Sequence, residues 1–253
     1  QSRWVQNLKI RDDIGPVGPW NKDTEEDDAN REYFAEYVEL VVKALTEDTF
    51  SHQGPYWTIP EKGLVNPHPH SVYTELGQGV SDAMEINEIG IAPRPFQTPH
   101  PQIYGGFSAS MRTAKFWAKY RGKPIVMASD LDFLKALWNA YRKEAEEKYD
   151  YSPTPGDEAA WGGLMICAKT DNEAEQLAHD MKWFWEKWAV PFGQPFPELL
   201  FGSPDTLNKR IEQASKAVDI NEMFLIIPQG LHNRDEVLTS LELFGEKVIP
   251  NFS

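Results

Sequence analysis

The feature that most constrains this chain is an alternation in its second part, where short apolar runs are each followed by a stretch with helical periodicity. Pro101-Gln102-Ile103-Tyr104 reads as a short strand, Gly105-Gly106 as a turn, and Ser110 to Tyr120 as a helix burying Met111, Ala114, Trp117 and Ala118. Pro124 to Ala128 is a second apolar run, and a helix from about Asp130 to Lys148 follows with Phe133, Leu134, Leu137, Trp138 and Tyr141 inward. Gly163 to Ala168 is a third run. Thr170-Asp171-Asn172-Glu173 then forms a capping box, opening a helix that carries Ala174, Leu177, Ala178, Met181, Trp185 and Trp188. After a loop holding Pro191, Pro195 and Pro197, Ser203 is placed as an N-cap with Pro204 at the first helical position. That helix, with Leu207, Ile211 and Ala214, feeds a fourth strand at Met223 to Ile227, and a last helix runs from about Asp235 to Glu246. Strands apolar on both faces and separated by amphipathic helices make a parallel sheet covered by helices, so the fold class is α/β.

A doubly wound open sheet and a (β/α) barrel of eight strands both fit this pattern. A barrel needs eight strand–helix units, and the stretch from Ile103 to Glu246 yields about four. If barrel-like, the chain holds about the second half of the barrel. The chain opens on Gln1 rather than Met, as expected of one trimmed at its start or of a portion of something longer.

The first hundred residues are less regular. Gly15-Pro16-Val17-Gly18-Pro19 and Glu25-Glu26-Asp27-Asp28 read as a solvated loop leading to a helix N-terminus, where negative charge is favoured. From Arg31 a helix ending near Thr46 places Phe34, Tyr37, Val38, Val41, Val42 and Leu45 on one face. Phe50 to Pro101 is rich in proline and is read as an excursion, with a hairpin between Val72-Tyr73-Thr74 and Met84-Glu85-Ile86. The whole of 1–253 is taken as one domain, with 61–92 as an insertion loop within it.

The formal charge of −14 disfavours nucleic acid and anionic membrane as partners. The single cysteine, Cys167, fits a reducing compartment, and with no apolar run long enough to span a bilayer a cytoplasmic location is expected.

The most suggestive chemistry lies at Gly105, Gly106, Phe107, Ser108, Ala109 and Ser110. Two glycines at a strand end let the backbone approach a ligand, and the following helix aims free N–H groups at it, which suits a phosphate. An ordinary strand-to-helix turn with a serine cap has the same spacing. His68 and His70, with His52 and His100, lack a partner set for a metal, so no metal site is assigned. His232, just past the fourth strand, is a lone candidate acid or base. Asp130, Asp132 and Glu222 read equally as surface carboxylates, and the nine Trp residues as core or subunit interface. No catalytic residue is assigned.

Several segments in order resemble the bacterial luciferase-like flavin monooxygenases. They are Arg31 to Val38 running into Leu45-Thr46 and Phe50 to Pro60, Pro93 to Ser108, Thr170 to Ala174, Gly202-Ser203-Pro204-Asp205, and Ser240 to Phe244 with Val248 to Phe252. The resemblance implies a (β/α) TIM-type barrel with a long insertion, lacking the family's first strands. It implies reduced FMN delivered by a separate flavin reductase, or a deazaflavin coenzyme in a sister group. Dioxygen and a small organic substrate would be the reactants, and the flavin phosphate would sit at Gly105 to Ser110. It also implies a homo- or hetero-oligomer, the latter with a chain that supplies the N-terminal half. A non-catalytic subunit paired with a complete homologue and a deazaflavin-dependent oxidoreductase are the rival readings.

Overall fold

Residues 24–66, 79–106, 110–191, 197–227 and 234–252 are described by a computed structural model, and they divide after Pro101 into two units. In the first unit, helix α1 (Glu25–Thr46) begins at Thr24, whose hydroxyl accepts the Asp27 amide at 3.4 Å. The acidic run is therefore the first turn of the helix rather than a loop ahead of it, with its charge against unsatisfied N–H groups. At the other end Arg94 donates to the carbonyls of Glu47 and, at 2.9 Å, of Thr46.

The apolar face expected on α1 is only partly inward, since Val38 and Leu40 are buried while Tyr37 is 51 % exposed. Glu36 takes a buried position instead. Its carboxylate accepts the amides of Tyr56 at 3.0 Å and Trp57 at 2.9 Å and lies 2.9 Å from His52 Nε2. These contacts hold a two-residue hairpin, β1 (His52–Gln53) against β2 (Thr58–Ile59). A hydrophobicity pattern cannot anticipate an inward carboxylate whose partners are backbone amides twenty residues away.

The excursion is pinned by isolated antiparallel bridges, Phe50 to Ile89, Val65 to Glu85 and Val80 to Ile86. Glu85 and Ile86 thus pair with Val65 and Val80, and the expected partner Val72-Tyr73-Thr74 lies outside the described residues.

The second unit runs β3 (Tyr104–Gly105), α2 (Met111–Lys119), β4 (Lys123–Val126), α3 (Leu131–Tyr149), β5 (Ala160–Cys167), α4 (Asp171–Phe184), β6 (Leu199–Gly202), α5 (Pro204–Ala217), β7 (Met223–Ile226) and α6 (Arg234–Lys247). All five strands are parallel. β5 is the centre, buried along its whole length. Its amides alternate between two edges: Trp161 N–H donates to Glu222 O and Leu164 N–H to Glu198 O. β7 therefore lies on one edge, and the other is shared by β4 along Ala160-Trp161 and β6 along Leu164 to Cys167. β6 continues the line of β4, joined to it by Glu198 N–H donating to Met127 O at 2.8 Å. The sheet thus has four columns: β3, then β4 with β6, then β5, then β7.

Strand β6 corrects the reading of Pro191 to Gly202 as a loop. Four residues bounded by prolines carry no usable period, and only pairing with the far half of β5 makes them a strand. β5 also starts three residues before the expected Gly163, because Gly162 and Gly163 sit inside the strand rather than ahead of it. A Cβ at Gly162 would lie 1.8 Å from Phe224 O, so the absence of a side chain is what lets β7 pair there.

Four helices of the second unit start at a side-chain cap. Ser110, Asp130, Thr170 and Ser203 all accept amides of their own first turns. Ala174 and Ala178 of α4 pack on Ile166 and Ala168. The helix then widens into a π turn at Trp185–Ala189, and the extra residue shifts the face: Ala189 is buried and Trp188, expected inward, is 55 % exposed. Among the described residues no helix is long and apolar enough to cross a membrane.

Candidate functional site

The two ends of a parallel sheet do different work, the starting ends tending to hold the fold and the finishing ends to carry chemistry. At the starting ends Lys123 Nζ donates to Glu222 Oε1 at 2.6 Å and Asp157 Oδ1 at 3.0 Å, and Tyr104 OH donates to Glu222 Oε2 at 2.6 Å. The network ties the beginnings of β3, β4, β5 and β7. Glu222 is therefore a structural ion-pair partner. Burial pushes the Glu222 and Asp157 carboxyls up, but hydrogen bonds from Lys123, with Tyr104 or Asn221, outweigh it and hold both below the ordinary carboxylate range. Burial works against the Lys123 ammonium, while its two carboxylate partners raise its pKa on balance.

These shifts fix the pH dependence. The carboxylates contribute stability that is complete above their unfolded values near about pH 4 and is lost as pH falls through their depressed folded values. Lys123 contributes stability that is complete below about pH 10 and is lost as pH rises through its raised folded value. Lys123→Met is expected to flatten both limbs of a plot of melting temperature against pH. An unchanged acid limb in that variant would show that the network is idle.

At the end of the two-residue β3, where Gly105 pairs with Pro124 of β4, the chain turns toward α2 through Gly105, Gly106 and Ser110, while Phe107, Ser108 and Ala109 lie outside the described residues. The two glycines have different reasons. A Cβ at Gly105 would fall 2.0 Å from Trp117 Nε1, so this residue is small because an indole occupies its side-chain space. At Gly106 no atom of the described residues lies within 4 Å of the Cβ position, and the residue is exposed. Ser110 Oγ accepts the Thr113 amide at 3.2 Å and lies 2.9 Å from Thr113 Oγ1. Its oxygen thus caps α2, and the positive end of the helix dipole lies on this side of the turn. An exposed glycine corner leading into a capped helix N-terminus is a fit for a phosphate.

At the end of β5 a cleft of about 720 Å³ opens beside α4 and α6, lined by Cys167, Lys169, Glu173, Leu177, Arg234 and Thr239 among others. Gly105, Gly106 and Ser110 are not in its wall. Burial pushes the Cys167 thiol up to about 11, which makes it a poor nucleophile. Its amide lies on the edge where β7 has already ended, and Ser240 Oγ of α6 accepts it at 2.7 Å. Asp171 joins the exits of β5 and β6 by accepting Ser203 N–H at 2.7 Å and the Thr206 hydroxyl at 2.9 Å.

The remaining sequence candidates disperse. His52 is engaged by Glu36, His100 Nδ1 lies 2.7 Å from Pro101 O, and His68, His70 and His232 lie outside the described residues. Asp130 caps α3, accepting the amides of Asp132 and Phe133 at 2.9 and 3.1 Å. Trp117, Trp138 and Trp161 are core, whereas Trp183 and Trp188 are exposed. Two ion pairs with buried carboxylates and partly exposed arginines escaped the sequence reading: Arg142 with Glu158, and Arg210 with Glu198. The only signal for them was an acid placed just before an apolar run.

The model of the luciferase-like monooxygenase family matches residues 14–238. The chain belongs to that family. A curated relative, 3,6-diketocamphane 1,6-monooxygenase of Pseudomonas putida, is 22 % identical over 205 residues, covering 70 % of this chain and 50 % of the relative. The chain therefore spans about half the length of the curated relative it matches. Among solved structures it resembles a type II Baeyer–Villiger monooxygenase, the oxygenating constituent of 3,6-diketocamphane monooxygenase from Pseudomonas putida in complex with FMN. That likeness has a TM-score of 0.66 and 20 % identity, over 100 % of this chain and 69 % of the other. A coenzyme F420 dependent tetrahydromethanopterin reductase from Methanopyrus kandleri matches with a TM-score of 0.54 and 15 % identity, over 87 % of this chain and 63 % of that one. The luciferase-like fold is a (β/α) barrel, and the parallel strands and covering helices described above agree with it. Among the described residues β3 pairs only with β4, and β7 only with β5.

Proposed function

We propose that this chain is the phosphate-binding part of an FMN-dependent monooxygenase, acting with dioxygen on a small organic substrate and receiving reduced FMN from a separate reductase. The observation that carries the reading is the exposed Gly106 at the end of the parallel strand β3, four residues before Ser110, which caps the N-terminus of α2. Gly106 and Ser110, with Phe107, Ser108 and Ala109 between them, would hold the FMN phosphate. When bound, the flavin supplies the redox chemistry with dioxygen; the chain's own residues bind the anion and orient what is attached to it. The family relationship and the FMN complex of a similar fold support this assignment, and a cytoplasmic location and an oligomeric state belong to the same reading.

Titration with FMN and riboflavin tests it, since the two differ only in the phosphate. A charge-assisted anion site is expected to favour FMN by about tenfold or more. Equal affinity for the two would overturn the assignment, and tighter binding of a deazaflavin coenzyme would move the chain to the hydride-transfer side of the superfamily.

A further inference from the structure

The end of α4 spends an irregularity to bring a large apolar side chain to the surface. Ala174, Ala178 and Met181 are its buried face. Trp188 stands seven residues after Met181, which at 3.6 residues per turn is two turns along that same inward face. The π turn at Trp185–Ala189 takes up one extra residue, so Ala189 fills the inward place and Trp188 points out, 55 % exposed. Shifted by that residue, Trp188 follows Trp183 and Phe184 at the one-turn spacing that puts side chains on a common face. Those two are 52 % and 46 % exposed. The π turn thus gathers three aromatic side chains into one outward stripe.

We propose that Trp183, Phe184 and Trp188 are the centre of an interface with a second copy of this chain, the two α4 helices running antiparallel across a two-fold axis. Half-exposed rings offer roughly 75–125 Å² each, so the stripe supplies about 300 Å² of the roughly 800 Å² per protomer that a stable interface buries. That is the share expected of an aromatic centre, and exposed Glu175, Asp180, Glu186 and Lys187 along the same helix form the polar rim.

Charge favours a copy of the chain as the occupant. At −14, two copies repel except where charge is locally balanced. Here Lys182 neutralises Glu175 at 2.7 Å, and Lys187 stands beside Glu186. Antiparallel pairing sets Trp183 of one protomer against Trp188 of its partner, brings Lys187 toward the partner's Asp180 and opposes the two helix dipoles. The inference gives a surface to the oligomeric state proposed above and does not depend on the flavin site, so flavin titration and a measurement of assembly fail separately.

Sedimentation equilibrium of the intact chain tests it, and a monomer–dimer equilibrium is expected between about 1 and 100 µM. Trp183→Ala and Trp188→Ala are each expected to weaken the dimer by about tenfold or more, with the circular dichroism spectrum unchanged because neither ring is core. Lys187→Glu and Asp180→Lys are each expected to weaken it by about threefold, and the double exchange to recover at least part of the loss. The Asp180→Lys effect is diagnostic, since that substitution lowers the overall repulsion between copies and would otherwise strengthen association.

A wild-type chain that stays monomeric at about 100 µM overturns the proposal, as does a dimer that persists undiminished in folded Trp183→Ala. Losses that simply add in the double exchange overturn it too, because the helices would then not be antiparallel. If Trp188→Ala does not fold, Trp183→Ala, which lies before the π turn, decides by the same measurement.

Discussion

Arg142→Met is expected to lower the stability of the chain by about 3–5 kcal/mol, the usual cost of leaving a buried charge without its partner. The Glu158 side chain is 0 % exposed, and its carboxylate takes Arg142 Nε at 3.0 Å and the Gly156 amide at 2.7 Å. Without the guanidinium, one backbone amide remains to compensate a full charge out of reach of water. At roughly 2–4 °C per kcal/mol for a chain of this size, the melting temperature should fall by roughly 6–20 °C. Adding Glu158→Gln removes the stranded charge, so the double variant is expected to melt above Arg142→Met alone, and the double-mutant cycle reads the coupling directly. A shift of under about 2 °C in the single variant would mean the pair is better hydrated than its burial indicates.

Gly162→Ala should be comparably severe for a different reason. The new methyl would meet the Phe224 carbonyl oxygen at 1.8 Å, and a backbone oxygen held in the ladder of β7 cannot rotate away as a side chain could. Strand β7 must separate from β5 or β5 must bend, which places the cost at or above the roughly 3 kcal/mol end of overpacking substitutions. Hydrogen exchange locates the damage: amides of Trp161 and Gly163 should lose protection while those of Leu164 and Ile166, which face β6, keep it. Uniform loss along β5 would contradict this account.

The sequence displayed what is periodic or locally signed. The strand–helix alternation, the caps at Ser110, Thr170 and Ser203, and the helix end at Thr46 all follow from side chains that satisfy or terminate their own neighbourhood. What it concealed depends on partners distant in the chain. β6 exists because the far half of β5 offers it an edge, the inward Glu36 because two amides of a later hairpin need an acceptor, and the turning of Trp188 to the surface because a π turn changes the phase of α4. The candidate site was half visible. Both glycines stood out as a pair, but only the fold separates Gly105, shaped by an indole, from Gly106, whose side-chain space no described residue enters. No pattern of spacing links Trp117 to Gly105.

The cluster joining Tyr104, Lys123, Asp157 and Glu222 gathers the starts of four strands into one knot, and Tyr104 immediately precedes Gly105, which pairs with Pro124 beside Lys123. Mooring and glycine corner are thus one peptide apart on so short a strand. Whatever slackens the knot reaches the corner through a single covalent step.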